Sequence, residues 1–143
     1  MIDARITFAP AGDLVSLDLW EGDLPDLANV RALQVEPRRW WLVDSGAALS
    51  TIAAQIGDRG ALTAFGGGFV SATITGDWRT LLSISSLIDT DAPALAVGSV
   101  TSTVIHHVPV RIAVIAEETC RLFYAASYAA TLEELWLGAV SGG

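Results

Sequence analysis

The 143-residue chain is long enough to bury a sizeable core, and its length predicts a single domain over residues 1–143. Its formal net charge of −8 argues against nucleic acid binding, because phosphates require a basic patch. All eight basic residues are arginines, which excludes Schiff-base chemistry and a phosphate-binding lysine. No apolar run approaches the roughly 20 residues of a transmembrane helix, no signal peptide is expected, and the single cysteine favours a cytoplasmic location.

Short strands are predicted in the first 43 residues. They cover Arg5–Phe8 and Val15–Trp20, on either side of the turn "APAGD". Residues 24–31 fit no single element. Two more strands are predicted in "LQVEPRRWWLV", with a turn over Glu36–Arg39 and the second strand over Trp40–Val43, where aromatic and β-branched residues suit a strand.

Two helices with strands between them follow. Ser45 is a predicted N-cap for a helix through "GAALSTIAAQIG", and Gly57 is placed to end that helix. The stretch "GALTAFGGGFVSATIT" predicts two strands joined as a hairpin at the glycines. Asp77 is placed to cap the second helix, whose apolar positions include Trp78, Leu81, Leu82 and Leu87.

The last third predicts a hairpin, a strand and a helix. The hairpin arms are Val100–Ile105 and Val108–Ala116 around a turn at His106–His107, and a strand follows over Arg121–Tyr124. Ser127 is placed to cap the final helix, whose apolar stripe comprises Tyr128, Leu132, Leu135, Trp136 and Ala139. This order of elements predicts an α+β fold of small antiparallel sheets packed with helices.

The two histidines were the first candidates for chemistry, because histidine binds metals and moves protons near neutral pH. Neighbouring side chains on a strand point to opposite faces, so His106 and His107 cannot chelate one metal from a regular strand. No acidic residue lies within eight positions of the pair. We therefore interpret both as turn residues rather than as a metal or catalytic site.

The other reactive features also favour structural roles. The glycines of "FGGGF" lead into a strand and no lysine follows, unlike a phosphate-binding loop. Cys120 has no base placed to activate it and is interpreted as a buried strand cysteine. The acidic pairs Asp89/Asp91 and Glu133/Glu134 fit a turn and a solvated helix face. No catalytic, cofactor-binding or metal-binding residue is predicted.

Trp40 and Trp41 are the candidate partner interface. They are adjacent on a predicted strand, so their side chains point to opposite faces and one of them is left outside unless something covers it. Hydrophobic residues make up 52 % of the chain, a surplus that favours burial against a partner. The alternative is that a helix of the same domain covers the second face of the strand.

From residue 76 onward the sequence resembles the gamma subunit of heterotetrameric sarcosine oxidase. The shared features are a glycine-started helix, a glycine before a threonine-ended strand, a "VPV" strand, and "SYA" opening an amphipathic helix with a tryptophan. "VEPRRWWLV" resembles the family's P-x-x-W-L strand. The matching positions are Gly76, Ile88-Asp89, Gly98, Thr103, Val108-Pro109-Val110, Ser127-Tyr128-Ala129 and Trp136, with Pro37, Trp40 and Leu42 upstream.

The resemblance implies a fold similar to folate-binding aminomethyltransferase domains and a non-catalytic accessory role in a complex that oxidatively demethylates sarcosine or a related N-methyl amino acid. The implied partners are larger alpha and beta flavoprotein subunits and a small delta subunit. These partner subunits would hold FAD, FMN, NAD and tetrahydrofolate.

Two alternatives remain open at this point. One is a free-standing folate-dependent one-carbon enzyme of related fold, although the position of the acidic residue that such enzymes place beside the folate is Ala64 here. The other is a small domain that binds a ligand or a partner without chemistry.

Overall fold

The computed structural model describes residues 2–11, 14–27, 30–43, 45–85 and 95–140. Within these ranges, nine strands form two antiparallel sheets accompanied by three α-helices, which confirms the predicted α+β class. The chain divides into two compact units. The first unit comprises Met1–Pro10 and Gly68–Gly143, and the second comprises Ala11–Gly67. A single domain over residues 1–143 stays a prediction.

The first unit contains five strands and two α-helices. Their bounds are β1 Ala4–Pro10, β6 Phe69–Gly76, α2 Trp78–Ser85, β7 Val100–Ile105, β8 Val108–Ala116, β9 Thr119–Ala125 and α3 Ala129–Leu137. The five strands form one sheet with the order β1-β6-β9-β8-β7.

Apolar side chains on one face of each helix form the core of the first unit with the sheet. Trp78 and Leu82 of α2 and Leu132 and Trp136 of α3 are fully buried, as predicted. The prediction of Tyr128 in the apolar stripe of the last helix is wrong, because Tyr128 precedes α3 and is 42 % exposed. The ring of Trp136 packs edge-on against Tyr124 of β9 at a centroid distance of 6.0 Å. Burial of these large side chains supplies most of the free energy that holds the helices against the sheet.

The second unit contains four strands and one α-helix. Their bounds are β2 Val15–Leu19, β3 Arg31–Glu36, β4 Arg39–Val43, α1 Leu49–Ile56 and β5 Gly60–Ala64. The strands form one sheet with the order β3-β4-β2-β5. Ile52 and Ile56 of α1 pack with buried residues of β2 and with Leu42 of β4. Gly57 ends the helix with φ of 55°, a left-handed conformation that glycine adopts without a steric cost.

Two local predictions are confirmed in the first unit. The hairpin of β7 and β8 turns at His106–His107, with both of these residues at positive φ. The backbone N–H of Thr80 donates to the Asp77 carboxylate at 3.3 Å, so Asp77 caps α2 as expected. The predicted helix position Leu87 lies outside the described residues.

Three other local predictions are wrong. Ser45 precedes a 3₁₀ turn over Gly46–Ala48 and makes no side-chain capping hydrogen bond. Ser127 lies inside the 3₁₀ turn Ala126–Tyr128, and α3 begins after it. The strands on either side of "FGGGF" do not pair with each other: β5 pairs with β2, whereas β6 pairs with β1 and β9. These glycines therefore connect two sheets instead of closing a hairpin.

Candidate partner-binding surface

Trp40 and Trp41 lie on β4, and both are largely covered within the chain. Trp41 is 8 % exposed, and its ring centroid lies 4.9 Å from that of Phe65. Trp40 is half-buried and packs against the buried cluster of the second unit, which includes Ile52 and Ile56 of α1. The strand therefore has apolar cover on both faces, and the assignment of this pair to a partner interface stays a prediction.

The tryptophan that the fold leaves open to solvent is Trp20, directly after β2. It is 63 % exposed, the highest value among the large apolar side chains of the described ranges. The sequence pattern predicts Trp20 at the end of a strand and assigns it no function. The turn residues "EGD" immediately after it mark the end of the strand, but no local signal predicts that the ring is exposed.

Backbone hydrogen bonds fix the position of Trp20. Its N–H donates to the carbonyl of Arg59 at 2.9 Å, and the N–H of Glu21 donates to the same carbonyl at 3.4 Å. The indole N–H donates to the carbonyl of Asp58 at 2.9 Å. The ring is therefore oriented on both its main-chain and side-chain ends while most of its surface remains in solvent.

Two arginines hold the turn that follows Trp20. Arg38 donates to the carbonyls of Leu19 at 2.9 Å and of Gly22 at 2.7 Å. Arg59 donates to the carbonyl of Asp23 at 3.2 Å and to that of Gln55 at 3.2 Å. The acceptors are main-chain oxygens, so the two guanidinium groups hold the backbone of the turn in place.

Gly22 suits this turn because its φ of +78° lies in the left-handed region, which residues with a Cβ rarely adopt. Farther along, Leu24 and Leu27 pack against the buried cluster of the second unit. We call residues 19–27, from Leu19 to Leu27, the Trp20 loop.

Four acidic residues lie close to Trp20, three of them in the chain and Asp58 through the indole hydrogen bond to its main-chain oxygen. Glu21, Asp23, Asp26 and Asp58 are all exposed. In the part of the chain that the structure describes, neither Glu21 nor Asp23 nor Asp58 forms an ion pair. The Trp20 loop therefore combines one large exposed apolar side chain with exposed acidic residues.

A second feature lies in the first unit, where an open recess of about 440 Å³ is lined by Asp3, Gly76, Asp77, Trp78, Arg79, Glu117 and Glu118. The Arg79 guanidinium lies 4.3 Å from the Trp78 ring centroid and 3.7 Å from a Glu117 carboxylate oxygen. It also donates to the carbonyl of Leu95 at 3.3 Å. Its contacts join α2 to its neighbours, which is a structural role.

The reactive residues lie apart from one another. Cys120 is fully buried in β9, and burial raises the pKa of its thiol to about 12, so it is protonated at neutral pH. His106 and His107 are exposed at a hairpin tip. Asp89 and Asp91 lie outside the described residues. Of the pair predicted on a solvated helix face, Glu134 is exposed on α3 and Glu133 is half-buried. The described ranges contain no group of three or more histidine, cysteine or acidic residues that could hold a metal ion.

None of the helices described is long and apolar enough to cross a bilayer. Ala64 ends β5 with its methyl group exposed, and a methyl group cannot hydrogen-bond a folate.

The fold is similar to that of a chain in the heterotetrameric sarcosine oxidase from Corynebacterium sp. U-96, whose structure was solved in complex with pyrrole 2-carboxylate. The TM-score is 0.77 and the sequence identity is 15 %, and the match covers 95 % of this chain and 83 % of that chain. No family model matches the sequence, and no curated protein matches it. At this identity the likeness is one of fold.

Proposed function

We propose that this chain is a non-catalytic accessory subunit, of the gamma type, in a complex of the heterotetrameric sarcosine oxidase kind. Such a complex would oxidatively demethylate sarcosine or a related N-methyl amino acid. The observation that carries the proposal is the fold match over 95 % of the chain. The matched chain is only slightly longer than this one, which fits a small subunit better than a large flavoprotein subunit.

The order of sequence features gives separate support. The "VPV" residues 108–110 begin β8, the "SYA" residues 127–129 lead into α3, and Trp136 lies buried on that helix. These segments resemble the gamma subunit in sequence and occupy neighbouring elements of the first unit. The residue order therefore supports the gamma subunit, and the fold supports a chain of the same kind of complex.

The chemistry of the complex is assigned to its other subunits. Alpha and beta flavoprotein subunits and a delta subunit are the proposed partners, and they would hold FAD, FMN, NAD and tetrahydrofolate. This chain would contribute binding surface rather than a nucleophile, since its one thiol is buried and protonated at neutral pH. The complex is proposed to be cytoplasmic.

Reconstitution tests the proposal. The tagged chain is co-expressed with the alpha-, beta- and delta-type subunits from the same genome, and the purified material is analysed for subunit ratio, flavin absorbance and sarcosine-dependent oxygen consumption. We expect the four chains to elute together in equal amounts, and we expect the chain alone to show neither flavin nor turnover. Elution of this chain apart from the other three, or sarcosine oxidation by the isolated chain, contradicts the proposal.

A further inference from the structure

Trp20 has the properties of an interface anchor. Tryptophan is among the residues that most often dominate binding free energy, because a large ring can be fully desolvated in a partner's pocket. Ordering a mobile side chain usually costs part of that free energy. At Trp20 this cost is reduced in advance, because the hydrogen bonds to Asp58 and Arg59 already orient the residue in the free chain.

The charge around Trp20 restricts what it can bind. Four exposed acidic residues lie close to Trp20. Glu21, Asp23 and Asp26 are near it in the chain, and the main-chain oxygen of Asp58 accepts its indole hydrogen bond. The positive charges nearby are the two guanidinium groups that hold the loop. The whole chain carries a net charge of −8. Nucleic acid and anionic lipid are repelled by such a surface, and a second copy would bring the same acidic loop against itself in a two-fold contact.

We propose that the Trp20 loop docks on a partner protein through an apolar pocket that is rimmed by arginine and lysine side chains. The Trp20 ring fills the pocket, and Glu21 and Asp23 pair with the basic rim. This inference rests on the exposure, hydrogen bonds and charge of the loop alone. Only the identity of the partner as a larger subunit of the complex depends on the proposed function.

Binding measurements on full-length variants test the contribution of the Trp20 ring. The chain is titrated against the complex of the other three subunits. Trp20→Ala is expected to weaken binding roughly thirtyfold or more, the range of interface anchors. The matched control is Leu137→Ala, which truncates a side chain that is 46 % exposed on α3 and should change the affinity less than twofold. Circular dichroism melts verify that both variants are folded.

The charged rim has its own variant. Glu21→Lys combined with Asp23→Lys should slow association and remove most of its dependence on salt, since opposite charges steer encounter. Wild-type affinity of Trp20→Ala, or a wild-type salt dependence in the double variant, overturns the inference.

A crosslinking experiment separates this inference from the proposed function. A photoreactive phenylalanine derivative is placed at position 20 and, as the control, at position 137, and the chain is crosslinked in its native host. We expect an adduct from position 20 alone, on a peptide that contains arginine or lysine. If that peptide belongs to a protein unrelated to sarcosine oxidase, the docking inference holds and the proposed function fails. If position 20 gives no adduct, or an adduct with a second copy of this chain, the inference fails.

Discussion

The indole nitrogen of Trp78 lies 3.0 Å from the main-chain oxygen of Glu117 and donates a hydrogen bond to it. This contact connects the first residue of α2 to the turn between β8 and β9. The ring itself is fully buried, so one side chain fills the core of the first unit and also fixes the start of the helix.

Replacing Trp78 with Phe is expected to reduce the free energy of unfolding by about 1–3 kcal/mol, because the hydrogen bond is lost and the smaller ring leaves a void. Urea denaturation followed by circular dichroism measures the change. Trp20→Phe is the matched control and should stay within about 0.5 kcal/mol, because that ring is mostly exposed. Equal losses in the two variants would contradict the role given to Trp78.

Two double variants at the His106–His107 turn should change the unfolding free energy in opposite directions. His106 has φ of 50° and His107 has φ of 69°, and positive φ at both central residues is the geometry of a type I′ turn. His106→Asn combined with His107→Gly should raise the unfolding free energy by up to about 1 kcal/mol, because Asn-Gly adopts this turn with less strain.

The control at the same two positions is a double alanine variant. It should lower the unfolding free energy by about 1 kcal/mol or more, because alanine resists positive φ. Thermal unfolding of the three proteins gives the order. If the alanine variant is as stable as the Asn-Gly variant, backbone strain at this turn is negligible and the prediction is wrong.

The glycines between the two sheets are not equivalent. A Cβ on Gly66 would overlap the carbonyl oxygen of Ala11 and crowd the N–H of Leu14, whereas a Cβ on Gly67 meets nothing within 4 Å. Gly66→Ala should therefore cost about 1–3 kcal/mol through steric overlap with the backbone. Gly67→Ala should lie within about 0.5 kcal/mol of wild type. Chemical denaturation of both variants checks the difference, and similar values for the two would rule out the close approach at Gly66.

Cys120 predicts a loss of stability at high pH. Burial raises the pKa of its thiol from 9.0 to about 12, with a smaller opposing effect of Arg79. Between these values the unfolded chain has lost the proton that the folded chain keeps, so stability is full below pH 9 and declines as the pH rises toward 12. This one group contributes a slope of about 1.4 kcal/mol per pH unit.

The slope is measured by denaturation at a series of pH values, with Cys120→Ala as the control. The variant should show a shallower alkaline decline whatever its stability at neutral pH. Burial of the Tyr124 hydroxyl also raises the pKa of that group, to about 12, so part of the decline remains in the variant. Rapid labelling of Cys120 by a thiol reagent in the native protein would show that the thiol is accessible and would contradict the prediction.

Patterns of apolar residues and turn signals were sufficient to predict most elements. The hairpin about His106–His107, the Asp77 cap and the buried faces of α2 and α3 follow from spacing within ten or so neighbouring residues. The wrong predictions concern features that residues distant in the sequence determine. The strands next to "FGGGF" read locally as a hairpin, but each pairs with strands that local sequence does not identify.

The same limit applies to the candidate surface. Adjacent strand residues face opposite ways, which is why Trp40 and Trp41 are predicted at an interface, but the cover on both faces depends on residues such as Phe65 and Ile52. Local sequence does not single out Trp20, because its orientation depends on Asp58 and Arg59, almost forty positions away. Periodicity predicts which residues share a face but does not predict which face the rest of the chain leaves uncovered.

The division of the chain into units also sets an order in which they can form during synthesis. The second unit is one continuous segment, Ala11–Gly67, so every residue it needs has been translated before β6 appears. The first unit begins with β1, whose pairing partner β6 is more than fifty residues away in the sequence. That strand must leave the ribosome early and wait with an unpaired edge, a state in which strands are prone to aggregation. Polar and charged residues alternate with apolar ones along it, which lessens that hazard.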